Sequence, residues 1–241
     1  NSQKSVSFNF DKFTPGQSSL TLQGSAKISS SGILGLTNSA QTTPNVGRVL
    51  YSTPVPIWDS KTGKVASFVT SFSFVIETLK GFTPADGLIF FLSDPTNTTI
   101  PDNSGQGYLG VVDANKALNK FVGVEFDNYA NPWDPSYKHI GINVNSIYSS
   151  KTVKWNWVSG SLLNVNIIYD SLSTTLNVVV KDNNGDQLTT ISQLVDLKSL
   201  LSEKAVIGLS GSSGDRQAHD IYSWSFTSTL DTTTTNNIAS F

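Results

Sequence analysis

Hydrophobic and polar side chains alternate along most of the chain, and a period of two is typical of half-buried β-strands. The alternation is clear at positions 6–10, 68–76 and 140–144. Positions 88–92 and 121–124 are continuously apolar instead, which predicts strands that are covered on both faces. Clusters of Gly, Pro, Asn and Asp separate these stretches. The cluster at 182–186 lies between two strand-like runs and predicts a hairpin turn.

Helical character is confined to positions 194–203, where we predict one short turn at most. About a dozen short strands with no break in composition predict one all-β domain, either a sandwich or a barrel. We place this domain at 1–230. The segment 231–241 is rich in Thr and Asn and lacks an apolar period, so it is predicted to be a mobile tail.

Composition excludes several classes of function. The 241 residues carry a net charge of −2, which argues against a nucleic-acid partner because such proteins usually have a basic surface. No apolar run reaches the roughly 18 residues of a membrane span, so membrane insertion is not expected. The chain has no cysteine, which excludes disulfides, thiolate metal sites and cysteine nucleophiles. Its two histidines leave little room for a three-histidine zinc site.

Acidic residues concentrate in one segment. Glu125 and Asp127 lie two positions apart on an apolar strand, so both point to the same side. Asn131 and Asp134 follow in a loop, and His139 opens the next strand. Oxygen ligands suit Ca²⁺, whereas mixed carboxylate and imidazole ligands suit Mn²⁺. The alternative is a surface loop with ordinary charges, but two acids on one face of an apolar strand favour a metal site, with room for two ions.

Two catalytic interpretations compete with metal binding. Paired carboxylates on a β-sandwich strand also occur in glycoside hydrolases, which need an acid and a nucleophile or base. The next position on that side is Tyr129 rather than a third acid, which disfavours this reading. Neither histidine lies near a nucleophile-elbow signature, which argues against serine catalysis. The glycine-containing segment 103–107 precedes no predicted helix, so we interpret it as a tight loop rather than a phosphate site.

Beyond these patterns, the segment 122–149 resembles the metal-binding segment of the legume lectins, through VEFD at 124–127 and HIGI at 139–142. The resemblance covers nearly the whole chain. Further matching runs are IWD at 57–59, VASF at 65–68, ADG at 85–87, GYLG at 107–110 and SWSF at 223–226. The stretches 46–51, 122–127 and 226–230 are most similar to galactose-binding members of the family.

This resemblance implies a concanavalin A-like antiparallel β-sandwich, a jelly roll with a flat back sheet and a curved front sheet. It implies a non-catalytic, Ca²⁺- and Mn²⁺-dependent lectin. Such a protein would cross-link the glycans of glycoproteins or glycolipids as a homodimer or homotetramer. It also implies the secretory pathway, with a location in a vacuole or protein body or outside the cell, and a signal peptide already removed.

The resemblance also implies a role for individual residues. The Mn²⁺ ligands would be Glu125, Asp127, Asp134, His139 and, through water, Ser149. The Ca²⁺ ligands would be Asp127, Asn131, Asp134 and the backbone carbonyl of Tyr129. The sugar contacts would be Asp86, the N–H of Gly107, the Asn131 amide and the Tyr129 ring, with Ser212 and Ser213 as further candidates. A cis bond between Ala85 and Asp86 is also implied.

Some features depart from the family or stay open. Asn128 stands where the family usually has Thr, and we expect no consequence because it points away from the acids. The loop 211–219 is shorter than in galactose-binding members, so mannose or glucose remain alternatives to galactose. A storage or defence relative without sugar binding is a further alternative. We interpret Trp133 as loop packing or a sugar rim, and His219 as a hydrogen-bonded residue at a strand edge. The sequence Asn97-Thr98-Thr99 is an N-glycosylation sequon.

Overall fold

The computed structural model describes residues 3–96, 98–116 and 118–234, which form two antiparallel β-sheets. The back sheet has the order β14 (Gln187–Leu194), β13 (Thr175–Asp182), β12 (Leu162–Asp170), β7 (Ser67–Thr78), β16 (Gln217–Asp231), β4 (Leu34–Thr37) and β3 (Lys27–Ile28), with β1 (Gln3–Phe10) also paired to β16. The front sheet has the order β11 (Lys151–Lys154), β10 (His139–Val144), β9 (Phe121–Asp127), β8 (Asp86–Ser93), β15 (Lys204–Ser213), β5 (Asn45–Tyr51) and β2 (Leu20–Gly24), with β6 (Val55–Pro56) on β15. The predicted β-sandwich is therefore confirmed.

Aromatic side chains from both sheets fill the space between them. Phe72 and Phe74 of β7 point inward because the strand alternates, and their serine neighbours face the other way. The Phe72 ring lies 6.3 Å from that of Phe90 on the front sheet. The Phe74 and Phe126 rings lie 5.0 Å apart, edge to face, a geometry that aromatic pairs prefer. These contacts join the two sheets in one main core.

A second apolar cluster lies on the outer face of the front sheet and explains the continuous apolar run of β8. Phe90 points into the main core, whereas Ile89 and Phe91 point into this outer cluster. Leu109 and Val111, from the segment after β8, cover them from outside. The prediction that this strand is covered on both faces is confirmed. The same segment includes a 3-10 turn at Gln106–Tyr108 where the sequence indicated only a tight loop.

The smaller sequence predictions are also resolved. β13 and β14 form the hairpin around 182–186, and the helix α1 is a single turn at Leu197–Leu200. No helix in the described ranges is long and apolar enough to cross a membrane. The described residues form sixteen strands rather than a dozen, because pieces as short as β3 and β6 have no readable period. Of the predicted tail, Asp231 pairs with β1, and residues 235–241 lie outside the described part, so its mobility stays a prediction.

Candidate functional site

The acidic pair lies on the outer face of the front sheet, at the end of β9. Phe126 points into the main core, so its neighbours Glu125 and Asp127 point the opposite way. In the strand register Asp127 lies between Gly87 on β8 and His139 on β10. The sheet therefore brings an imidazole next to the two carboxylates, as the sequence predicted from their spacing.

Glu125, Asp127, Asp134 and His139 form one cluster, in which one ligand atom from each lies within 4.8 Å of the others. His139 Nε2 is 3.3 Å from Glu125 Oε1 and 3.8 Å from Asp134 Oδ1. Glu125 and His139 are fully buried, and Asp127 is 1% exposed. Three carboxyl groups thus share a space that water barely reaches.

This crowding alters the acidity of the cluster. Burial, reinforced by the charges of Glu125 and Asp134, raises the pKa of Asp127 to about 10. Burial and the charge of Glu125 also raise the pKa of Asp134 to about 6, against the opposing hydrogen bond from Asn131. Burial alone would lower the pKa of His139, but the hydrogen bond and charge of Glu125 outweigh it and raise that pKa. Positive charge, supplied by protons or by a cation, therefore stabilises the cluster of buried carboxyl groups.

Unpartnered buried oxygens show that the cluster suits a metal ion. Glu125 Oε2, Asp127 Oδ2 and Asn131 Oδ1 are buried and have no hydrogen-bond partner among the described residues. Buried polar atoms normally have one, so these atoms are free to coordinate. The set with His139 provides mixed ligands for a transition ion, and the oxygens of Asp127, Asn131 and Asp134 suit Ca²⁺. The residues present therefore fit both expected ions.

Neighbouring residues hold the cluster in shape. The Ser149 hydroxyl lies within hydrogen-bonding distance of Glu125 Oε1, and 2.8 Å from Asn143 Oδ1. A side chain at Gly141 would occupy the position of Ser149 Oγ, so glycine there leaves room for this contact. In the loop, the Asn131 N–H donates to Asp134 Oδ2 at 2.8 Å. Ser149 thus contacts the cluster through Glu125, and its role as a metal ligand through water stays a prediction.

Asp86 lies at the start of β8, beside the metal cluster. The residue is 3% exposed, and its Oδ2 has no hydrogen-bond partner in the part of the chain that the structure describes. Burial, with a smaller contribution from the charge of Asp134, raises the pKa of Asp86 to about 7. The peptide bond between Ala85 and Asp86 is cis, as the resemblance implied. Asp86 Oδ2 is therefore available to accept a hydrogen bond and is largely shielded from solvent.

Gly107 lies against Asn131, and Tyr129 is hydrogen-bonded to the acidic cluster. A side chain at Gly107 would clash with the Asn131 amide, whose Nδ2 would lie 2.7 Å from the added carbon. The Tyr129 N–H donates to Asp127 Oδ1 at 2.9 Å, and its ring is 41% exposed. The Gly107 backbone therefore approaches the Asn131 amide closely, and Tyr129, whose backbone is hydrogen-bonded to Asp127, has an exposed ring.

Ser212 and Ser213 lie at the end of β15 and are hydrogen-bonded within the chain. Both are fully buried. The Ser212 hydroxyl donates to the Gln106 carbonyl at 2.7 Å, and Ser213 Oγ accepts from the Gln217 N–H at 3.3 Å. In this structure they connect loops, and their contact with a sugar stays a prediction. Asn97 lies outside the described residues.

The two aromatic interpretations left open by the sequence are now clear. The Trp133 ring lies 4.8 Å from that of Tyr108, which supports loop packing. His219 is fully buried and hydrogen-bonded to Thr37 at 2.7 Å. Its strand β16 has neighbours on both sides, so the strand-edge placement was wrong, although hydrogen bonding was correctly expected.

Sequence reasoning missed two residues beside the site. Asn128 does point away from the acids, and it is buried and hydrogen-bonded to Gln217, so the expectation that it has no consequence stays a prediction. A signal was available for Gln217, which shares the inward-facing positions of Ile221 and His219 on an alternating strand. A polar residue on a core-facing period usually has a partner.

Comparison with known proteins identifies the family. The model described as legume lectin domain matches residues 5–240. The chain belongs to the legume lectin family. It is 56% identical to the non-seed lectin of Pisum sativum, over 98% of this chain and 90% of that one. It is 52% identical to the galactose-binding lectin of Arachis hypogaea, over 98% and 87%. Its structure matches the Lotus tetragonolobus seed lectin with a TM-score of 0.88 and 50% identity, over 93% and 99%.

Family membership decides between the broad classes. Legume lectins are non-catalytic carbohydrate-binding proteins, and the chain matches them over nearly its whole length. The glycoside hydrolase alternative is therefore set aside. The family binds metal ions, and the four-residue cluster is a site that could hold one.

Without metal, this lectin should lose stability as the pH rises. The folded chain raises the pKa of Asp86 to about 7 and of Asp127 to about 10, whereas an unfolded aspartate has a pKa of about 3.9. The folded state keeps protons that the unfolded state releases. The contribution of these two protonated carboxyl groups to stability is therefore fully present below about pH 4. It is lost as the pH rises through the folded pKa values.

Thermal unfolding of EDTA-treated protein at pH 7, 8 and 9 measures this loss. We expect the midpoint to fall with pH, and to fall less once Ca²⁺ and Mn²⁺ are added because the ions replace the protons. Asp127→Asn should flatten the dependence, whereas Asp186→Asn in the exposed hairpin should not. A metal-free midpoint that rises with pH contradicts this assignment.

Proposed function

We propose that this lectin binds galactose-type glycans through Asp86, Gly107, Asn131 and Tyr129, and that Ca²⁺ and Mn²⁺ keep the site in shape. The observation that carries the proposal is the buried Asp86 carboxyl group, whose Oδ2 has no hydrogen-bond partner among the described residues and whose pKa is raised in part by the charge of Asp134 in the acidic cluster. The close approach of Gly107 to the Asn131 amide adds to it.

These groups suit the chemistry of a sugar. A sugar hydroxyl both donates and accepts, so a carboxylate beside N–H donors can hold two neighbouring hydroxyls in one configuration. The C–H face of the ring favours an aromatic surface, which Tyr129 offers. Because Asp86 is fixed at a strand end, the hydroxyls it accepts from are restricted in direction. Binding would thus depend on the epimer.

Galactose is the preferred ligand because of the relatives. The Arachis hypogaea protein, 52% identical to this chain over 98% of its length, carries galactose binding in its name. The stretches 46–51, 122–127 and 226–230 resemble galactose-binding members. The loop 211–219 is shorter than in galactose-binding members, so mannose and glucose are the comparison ligands in the experiment below.

The two ions would have overlapping ligand sets that share Asp127 and Asp134. Mn²⁺ would be held by Glu125, Asp127, Asp134 and His139, with Ser149 reaching it through water. Ca²⁺ would be held by Asp127, Asn131, Asp134 and the Tyr129 carbonyl. The ions supply positive charge to the buried carboxylates. Asn131 is thereby oriented toward the sugar, and the Asp127 carboxylate that accepts from Tyr129 stays ionised.

Multivalency would turn a weak site into an effective one. A single shallow site binds a monosaccharide weakly, whereas linked sites can raise avidity by roughly 10²–10⁴. A homodimer or homotetramer would therefore cross-link the glycans of glycoproteins or glycolipids on cell surfaces. Passage through the secretory pathway is part of the same proposal, because the glycans of glycoproteins are found there and the chain has an N-glycosylation sequon at Asn97.

Asp86→Ala should abolish galactose binding without unfolding the protein. Hydrogen bonds to a charged acceptor contribute roughly 1.5–3 kcal/mol, and a millimolar site has only about 4 kcal/mol in total. Calorimetric titration of the metal-loaded protein with galactose, mannose and glucose measures the effect. Asp11→Asn, an exposed acid on the back-sheet side, is the control. Unchanged affinity in Asp86→Ala would contradict the assignment of Asp86 to the sugar site. A preference for mannose would contradict the choice of galactose as the ligand.

Removal of metal should abolish sugar binding before the sandwich unfolds. Protons compete with cations at Glu125, Asp127 and Asp134, so EDTA at mildly acidic pH releases the ions. The main core has no part in that coordination. Circular dichroism and sugar titration on the same sample should show a retained fold and lost binding, which returns when Ca²⁺ and Mn²⁺ are added. Full binding after verified metal removal contradicts the proposed role of the ions.

Assembly is tested by sedimentation together with agglutination of glycan-bearing cells. We expect a dimer or tetramer that agglutinates cells and is inhibited by free galactose. Asp86→Ala should sediment identically but fail to agglutinate, because it loses the sugar and keeps the interface. A monomer without agglutination contradicts the proposed multivalency.

A further inference from the structure

Asn128 and Gln217 form a reciprocal amide pair beneath the site. Asn128 Nδ2 donates to Gln217 Oε1 at 2.9 Å, and Gln217 Nε2 donates back to Asn128 Oδ1 at 3.3 Å. Asn128 is 2% exposed and Gln217 is fully buried. Two hydrogen bonds shielded from water therefore connect positions that are 89 residues apart in the chain.

Further hydrogen bonds fix the Gln217 amide. The Thr78 hydroxyl donates to its Oε1 at 2.7 Å, and His219 Nε2 lies 3.0 Å from its Nε2. Burial lowers the pKa of His219 to about 3, so the ring is neutral and can accept at this nitrogen. Its other nitrogen then donates to Thr37 Oγ1 at 2.7 Å, and that hydroxyl donates to the Gln217 carbonyl, also at 2.7 Å. Gln217 therefore has one orientation.

Asn128 connects the amide pair to the proposed sugar-binding and metal-binding residues. Its backbone N–H donates to the Asp86 carbonyl at 3.1 Å. It also lies between Asp127, a proposed ligand of both ions, and Tyr129, the proposed stacking ring. On the other side of the pair, the Gly214 N–H donates to the Ala85 carbonyl at 3.1 Å. The amide pair therefore lies where three parts of the chain meet. These are the start of β8 at Asp86, the loop 128–134 (the metal loop) and the segment 214–217.

We propose that Asn128 and Gln217 are a positioning pair, which holds the segment 214–217 in a fixed relation to Asp86 and the metal loop and thereby sets sugar affinity. The proposal rests on the proposed sugar site. Neither residue belongs to the acidic cluster, so the pair would act through the backbone contacts of Ala85 and Asp86 rather than through the metal ligands.

A double-mutant cycle with Asn128→Ala and Gln217→Ala tests the pair in the metal-loaded protein. Each single variant should bind galactose roughly 3- to 10-fold more weakly, the range expected for the loss of about one neutral hydrogen bond. The double variant should bind within about twofold of the weaker single variant, because the two side chains act as one unit. The control is Asn166→Ala, which removes a back-sheet asparagine that accepts from Ser71 at 2.7 Å. Additive losses, or unchanged affinity in the single variants, would overturn the proposal.

Hydrogen exchange on the metal-loaded, sugar-free protein gives a readout that needs no ligand. Asn128→Ala should speed exchange in both 128–134 and 214–217 while the main core and the metal content stay as in the wild type. A change confined to 128–134 would mean that Asn128 has only a local structural role. If the wild type binds no galactose, the proposed function fails, and this exchange experiment still decides whether the pair couples the loops.

Discussion

The buried carboxylates of Glu125 and Asp127 impose the constraint on which the site depends. Burying one ionised carboxylate is costly, and burying two together is more so unless a proton or a cation compensates. The pKa of about 10 for Asp127 expresses that cost in the absence of a cation. The neighbouring residues are brought to the pair in three ways. Strand register places His139 beside it, the loop places Asp134, and Ser149 lies in the space above Gly141.

The sandwich makes this arrangement possible because the two faces of its front sheet have separate tasks. Inward residues such as Phe126 pack against the back sheet and supply stability. Outward residues of the same strand are apolar at Phe121, where the segment around Leu109 covers them, and acidic at the strand end. One strand therefore anchors the site to a core that does not depend on the metal ligands. Loss of the ions can then loosen loops without melting the sheets.

Much of this organisation could be predicted from local pattern. The period of two gives the strands, and the i, i+2 spacing places Glu125 and Asp127 on one side, since both are properties of a single strand. What the pattern leaves out depends on neighbours distant in the sequence. The Asn128–Gln217 pair exists because Gln217 begins β16 of the back sheet close to Asn128, which directly follows β9 of the front sheet. The buried hydroxyl of Ser212 likewise depends on how the Gln106 turn folds over β15.

This division between local and distant determinants bears on how sugar preference can change within the family. The metal ligands come from adjacent strands and one short loop, so their geometry is set by register and tolerates little change. The segment 214–217 touches none of them and joins the site through backbone contacts to Ala85 and through the amide pair. Its length and sequence can therefore vary while the ions and Asp86 stay in place. An amide at position 128 restrains that variable segment, because a reciprocal pair has both a fixed length and a fixed direction, whereas a single hydroxyl constrains neither to the same degree. Selectivity would then rest on residues that never touch the sugar.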